Sequence, residues 1–156
     1  MTPEKIIFFK SEYLPLLRQI KPDTQPAWGK MNFQQMVEHM SDSIRIANGK
    51  DLHTLHTPAE NVDKLQAFAM SDRPFKENTK NVLIPDEPVP HRNKTLDLAF
   101  AELQKEIDDF ILTFRDNPEK TILNPFFGNL NFNQWVQLLH KHAHHHLKQF
   151  GIPNPK

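Results

Sequence analysis

Nine histidines stand among the 156 residues, and five of them fall between His140 and His146. An imidazole binds borderline divalent ions through a ring nitrogen and exchanges protons near neutral pH, provided the ring is aimed at a partner. Helical phase decides the aim, because successive residues turn by about 100°. With Trp135 set at zero, Leu139, Phe132, Phe150, Ala143, Val136 and Leu147 spread along one side to about 120°, and Leu138 lies about 60° to the other. His142 and His146 land within about 20° of Trp135, in the middle of this apolar arc. They are one turn apart, a spacing at which two imidazoles grip one ion. His140 and His144 fall among Gln137, Asn133 and Lys148 on the polar side, and His145 and Gln149 sit at the edge of the arc.

A second helix adds one more ring. Met36, Val37, Met40, Ile44, Ala47, Phe33 and Ile46 form its apolar arc, and His39 falls inside it, between Ile46 and Ser43. Glu38, Arg45, Gln34 and Asp42 occupy the other face. Three neutral imidazoles, His39, His142 and His146, are a good ligand set for a divalent metal, Zn²⁺ or Ni²⁺ first and Mn²⁺ or Fe²⁺ next. Such a set leaves a coordination position open for water or substrate. A hydrogen-bond network among the rings is the other way to satisfy their nitrogens. His145, Gln149 and Ser43 are candidates for support around this set. No H-E-x-x-H glutamate base accompanies it, since Ala143 follows His142. His53 and His56 read as solvated loop residues, as does His91 in a proline-rich stretch.

These rings need elements to hold them. Residues 3–20 read as a first helix, with Thr2 as cap, Pro3 at its first position, and Ile6, Phe9, Tyr13, Leu17 and Ile20 as its stripe; Pro15 should kink or interrupt it. Asn32 with Gln35 starts a second helix over residues 33–48, and Asn131 with Gln134 starts a last one ending near Phe150. The two starts, Asn32-Phe33-Gln34-Gln35-Met36-Val37 and Asn131-Phe132-Asn133-Gln134-Trp135-Val136, echo each other. Residues 96–114 carry Leu96, Phe100, Leu103, Ile107, Phe110, Ile111 and Phe114 at near-heptad spacing. A short helix over residues 58–70 takes Thr57 as cap and turns Val62, Leu65 and Phe68 inward. Gly49 and Gly151 stand where left-handed helix ends are wanted. No alternating strand pattern stands out. The expected architecture is all-α: a four-helix bundle with a short extra helix and a long Pro-rich crossover. That crossover, residues 71–94, reads as an extended segment packed on the bundle and anchored by Phe75, Val82, Leu83 and Ile84; a mobile linker is the other reading.

Composition narrows the function classes. The length fits one domain, residues 1–156, able to bury roughly 70% of its unfolded surface. No cysteine is present, which excludes disulfides, thiolate ligands and a cysteine nucleophile. Lys and Arg number 19 against 19 Asp and Glu, so neither nucleic acid nor an anionic membrane is an expected partner. The apolar runs at the start are too short for a signal peptide, and no run could span a membrane, so a cytoplasmic location is expected.

With these residues in place, the sequence resembles the DinB-like superfamily, which includes the YfiT-like group regarded as metal-dependent hydrolases. The resemblance rests on a histidine in the second helix and H-x-x-H-H-x-x-Q in the last, here ending in His145-His146-Leu147-Lys148-Gln149. It is closer still to an uncharacterised DinB-like branch, through Trp28-Gly29-Lys30-Met31, Ser71-Asp72-Arg73-Pro74-Phe75 and the stretch from Phe127 to Gly151. It runs over residues 16–151. The resemblance implies a four-helix bundle, a divalent metal on His39, His142 and His146, and a homodimer. It also implies enzymes that are hydrolases or transferases and isomerases using low-molecular-weight thiols, and no DNA binding. Leu147 and Lys148 replace the usual Arg-Gly of the motif, which removes an arginine contact to thiol or substrate but no ligand. The expected function is therefore a divalent-metal-dependent enzyme acting on a small molecule. The alternative is a non-catalytic binding or stress protein whose metal is structural or absent.

Overall fold

The computed structural model describes residues 2–78 and 87–153. Val82, Leu83 and Ile84, expected as anchors of the crossover, lie outside the described residues. The chain begins with α1 (Thr2–Ile7), a π-helical turn (Phe8–Glu12) and α2 (Tyr13–Arg18), which follow one another without a break. Helix α3 (Phe33–Ala47), the short α4 (Ala59–Met70), α5 (Leu96–Phe114) and α6 (Phe132–Gln149) follow. The N-terminal helix packs on α6 through α1 and on α5 through the π-turn; α3 packs on both α5 and α6. These contacts close a ring of four helices, the expected bundle, and α4 leans on α6 from outside. Buried apolar residues from all four, among them Tyr13, Leu17, Phe33, Met40, Leu103, Phe110, Trp135 and Leu139, form the core. No helix among the described residues is long and apolar enough to cross a membrane.

The helix starts follow from their caps. Asn32 accepts from the Gln35 amide while Gln35 Oε1 accepts from the Asn32 amide, and Asn131 with Gln134 repeats the arrangement. Each reciprocal pair satisfies two N–H groups that a helix start leaves without partners. At the far end of α6, the amides of Gly151 and Ile152 bond to the carbonyls of Lys148 and Leu147, and Gly151 takes a φ of 95°. This left-handed closure is the one glycine permits at no steric cost.

Pro15 acts differently from a kink. It has no N–H for the Ser11 carbonyl and its ring presses on the preceding turn. The helix answers one turn earlier by widening, so that the Tyr13 amide bonds to the Phe8 carbonyl, and α2 then continues through Pro15 to Arg18. Thr57 is not the cap of α4 either. Pro58 occupies that position without a side-chain hydrogen bond, and the Thr57 amide instead bonds to the Pro125 carbonyl.

A small antiparallel hairpin accompanies the helices and leaves the architecture all-α, as expected. Strands β1 (Ile122–Asn124) and β2 (Gly128–Leu130) pair with Ile122 opposite Leu130. Asn124 Oδ1 accepts from the amides of Phe126 and Phe127, at 2.8 and 3.0 Å, and so shapes the turn. Gly128 closes it with a φ of 77°. The Ile122 carbonyl accepts from Trp135 Nε1 at 3.1 Å, which ties the hairpin to the first turn of α6.

The crossover packs on the bundle where it is described. Glu38 is buried, and its carboxylate accepts from the amides of Arg92 (3.0 Å) and Asn93 (3.1 Å), from Asn93 Nδ2 and from Gln34 Nε2. Arg92 in turn pairs with Asp42 at 3.0 Å and Glu102 at 2.8 Å. The face of α3 read as polar is thus a covered, hydrogen-bonded face.

Candidate metal centre

His39 comes from α3, and His142 and His146 from consecutive turns of α6. His142 Nε2 lies 3.0 Å from His39 Nε2 and 2.9 Å from His146 Nε2. The three candidate ligand atoms all lie within 4.8 Å of one another. No fourth His, Asp or Glu joins this group among the described residues. His146 is buried, whereas His39 and His142 keep a partial opening to solvent.

Gln149, on the next turn, orients His146. Its Oε1 lies 2.7 Å from His146 Nδ1, and its Nε2 donates to the Trp28 carbonyl at 2.8 Å. An amide oxygen only accepts, so His146 carries its proton on Nδ1 and presents a lone pair at Nε2. His142 Nε2 must then supply the one proton for its contact with His146, and that same proton is the one left for His39. Three neutral rings meeting in this way are one proton short. A cation among the lone pairs satisfies all three, so the donor set fits a divalent metal.

Electrostatics keep these lone pairs free. Burial pushes the pKa of His39 down to about 4, with a smaller push from His145. Burial also holds His142 and His146 well below the ordinary histidine range, and the neighbouring rings add to it. All three rings are therefore held in the neutral form, each with one ring proton, at neutral pH.

The other histidines divide. His140 and His144 are not on an open polar face. They lie half-buried under the N-terminal helix, with Phe8 ring centroids 4.9 and 5.1 Å away, and their Nε2 atoms are 2.9 Å apart. The phase of α6 is as expected, but the π-turn covers that side. His145 sits at the rim, 5.2 Å from the Trp28 ring, 5.9 Å from Phe75 and 5.1 Å from His146. His53 and His56 are exposed; His56 rests against Phe126 at 5.8 Å. His91 is exposed and meets Asn32 Oδ1 at 3.0 Å. The Ser43 hydroxyl donates to the His39 carbonyl, 3.1 Å away, and so spends its proton on the backbone. Glu38 points away from the site, as expected. Of the two residues that replace Arg-Gly, Leu147 is buried and Lys148 pairs with Glu77 at 3.0 Å.

Two neighbours of the site were not visible from helical phase. Phe75 brings its ring to 6.0 Å from His142. Lys141, one turn beyond Leu138 on the flank that α4 covers, is buried and donates to the carbonyls of Ser71 and Arg73. A lysine in a helix whose partner is unknown carries no sign of burial.

No curated protein and no solved structure matches the chain. A sequence model of the DinB superfamily does, over residues 13–150, a span that takes in the bundle core from Tyr13 to Phe150 and all three converging histidines. The chain belongs to the DinB superfamily.

Proposed function

We propose that the chain is a divalent-metal-dependent enzyme acting on a small molecule, with His39, His142 and His146 as the ligands. The observation that carries this reading is the convergence of three Nε2 atoms that are together one proton short of satisfying one another. When bound, the ion would supply positive charge that lowers the pKa of a water or thiol beside it. The residues of the chain do the rest. Gln149 fixes the proton of His146 on Nδ1 and so sets the direction of its lone pair. Burial keeps the rings neutral, and the absence of a carboxylate in the set leaves the ion's charge undiminished. The partly open sides of His39 and His142 give a substrate its approach. This openness favours catalysis over a closed structural site, in which a fourth protein ligand is expected.

Zn²⁺ and Ni²⁺ suit an all-imidazole set best, and the reaction is a hydrolysis or the transfer of a low-molecular-weight thiol. Elemental analysis of untagged protein after incubation with Zn²⁺, Ni²⁺ and Mn²⁺ tests the site. One equivalent is expected in the wild type and none in His39→Ala or His142→Ala. Equal metal in all three proteins sinks the reading. Thiol consumption with electrophilic substrates, set against hydrolysis of activated esters and amides, then separates the two reaction classes.

A further inference from the structure

Lys141 poses a physical question. A buried ammonium costs several kcal/mol unless it is paired, and here Lys141 donates to two backbone carbonyls, those of Ser71 (2.9 Å) and Arg73. Its Nζ also stands 4.6 Å over the Phe68 ring. Burial lowers its pKa, opposed in part by Asp72. This cation therefore holds the chain at 71–73 immediately after the end of α4, and it does so from α6, the helix that carries two of the three converging histidines.

The segment it holds returns to those histidines. Phe75 is half-buried, with its ring 6.0 Å from His142, 5.9 Å from His145 and 5.6 Å from Phe68. Two residues on, Glu77 pairs with Lys148 at 3.0 Å, and both side chains are about half exposed. An exposed pair of this kind contributes little, whereas Lys141 grips the segment through two charge-assisted hydrogen bonds sheltered from water. Residues 71–78 are thus fastened firmly at one end and latched weakly at the other, with an aromatic ring between that rests on His142.

We propose that residues 71–78 form a hinged flap over the three-histidine centre, with Phe75 as the side chain that closes it, Lys141 as its positioning residue and Glu77–Lys148 as its latch. The flap governs passage of metal and substrate to His142. It rests on the metal reading only for the identity of what passes.

A flap has a kinetic signature that a ligand or a merely structural residue lacks. Removing it speeds arrival and departure together and leaves the equilibrium alone. In Phe75→Ala and Lys141→Met, stopped-flow uptake of Ni²⁺ and its loss to excess chelator are both expected to rise by about ten-fold, with Kd held within about three-fold. Glu77→Gln is expected to give a smaller rise in both, and it serves if Lys141→Met folds poorly. Carbethoxylation of metal-free protein, mapped by mass spectrometry, is the second readout: His142 should react faster in Phe75→Ala than in the wild type. That reaction decides the flap even if the wild type takes up no metal, an outcome that defeats the metal reading alone. The flap is overturned if His142 reacts at the wild-type rate in Phe75→Ala. It is equally overturned if metal binds but its rates in Phe75→Ala stay within about two-fold, or if only the loss rate changes.

Discussion

Gln149 shows how one side chain outside the ligand set controls it. Its amide reads two neighbours at once, accepting from His146 and donating to the Trp28 carbonyl, so it can sit in only one orientation. Gln149→Leu removes the acceptor and frees His146 to take the wrong tautomer. Metal affinity is expected to fall by roughly 10–100-fold in a chelator competition, with the stoichiometry unchanged. His144→Gln, on the opposite side of α6, is expected to leave both affinity and stoichiometry at wild-type values. Loss of a full equivalent in that variant would show that the His140–His144 pair, not the predicted set, holds the ion. The three inward rings were legible in the sequence because helical phase is a local property. The covering of His140 and His144 was not, because Phe8 and Phe9 reach them from the far end of the chain.

At the scale of elements, the two Asn-x-x-Gln starts and the crossover clamp should be energetically distinct. Asn32→Ala and Asn131→Ala are each expected to cost about 1 kcal/mol, read as a shift in urea midpoint at constant slope. Glu38→Ala should cost more, about 1–3 kcal/mol, because it leaves the Arg92 and Asn93 amides without their acceptor. Gly128→Ala is expected to be destabilising by a similar amount. It imposes a left-handed φ on alanine and brings a methyl to 2.8 Å from Val62 Cγ1. The helix bounds were readable to within a residue or two from capping and stripe. The hairpin was not, since three-residue strands are too short to show alternation and its turn is set by a single Asn124 side chain. Pro15 signalled trouble in the first helix correctly. The widened turn that resolves it depends on Phe8 and Phe9 both finding burial, which no local pattern encodes.

For the whole molecule, the depressed histidines couple folding to pH. The unfolded chain takes up protons on these rings below about pH 6.5, while the folded chain refuses them until far lower, about 4 for His39. Their contribution is therefore fully present above pH 6.5 and is lost as pH falls towards 4. The loss is at most about 1.4 kcal/mol per pH unit for each enclosed ring. Urea unfolding of metal-free protein at pH 7.5, 6 and 5 should show the decline, and His142→Gln should make it shallower. Bound metal should enlarge the difference between pH 7.5 and 5, because protons then compete with the ion as well. The carboxylates held low, Glu38 and Glu106 among them, act in a separate and more acidic window. A flat profile between pH 7.5 and 5 would mean that the rings are protonated in the folded chain.

The π-turn also carries a consequence for how the chain tolerates changes in length. Phe8 and Tyr13, five residues apart, stack at 5.2 Å and 27°, a pairing that an ordinary helix would splay to opposite flanks. The turn thus behaves as one surplus residue stored inside the first helix. Deleting Lys10 should let it revert to a regular α-helix, shortened but unbroken. Phe8 and Tyr13 would then stand four residues apart, a spacing that keeps them on one flank of an ordinary helix, so everything before the deletion keeps its facing towards the bundle. Lys5 would stay beside Gln137, and Phe8 over His140 and His144, each drawn along the axis by about one residue's rise. A single codon lost there would therefore be absorbed with α6 still covered, whereas the same loss in the middle of α3 would turn half of that helix by about 100° and carry its apolar stripe off the bundle.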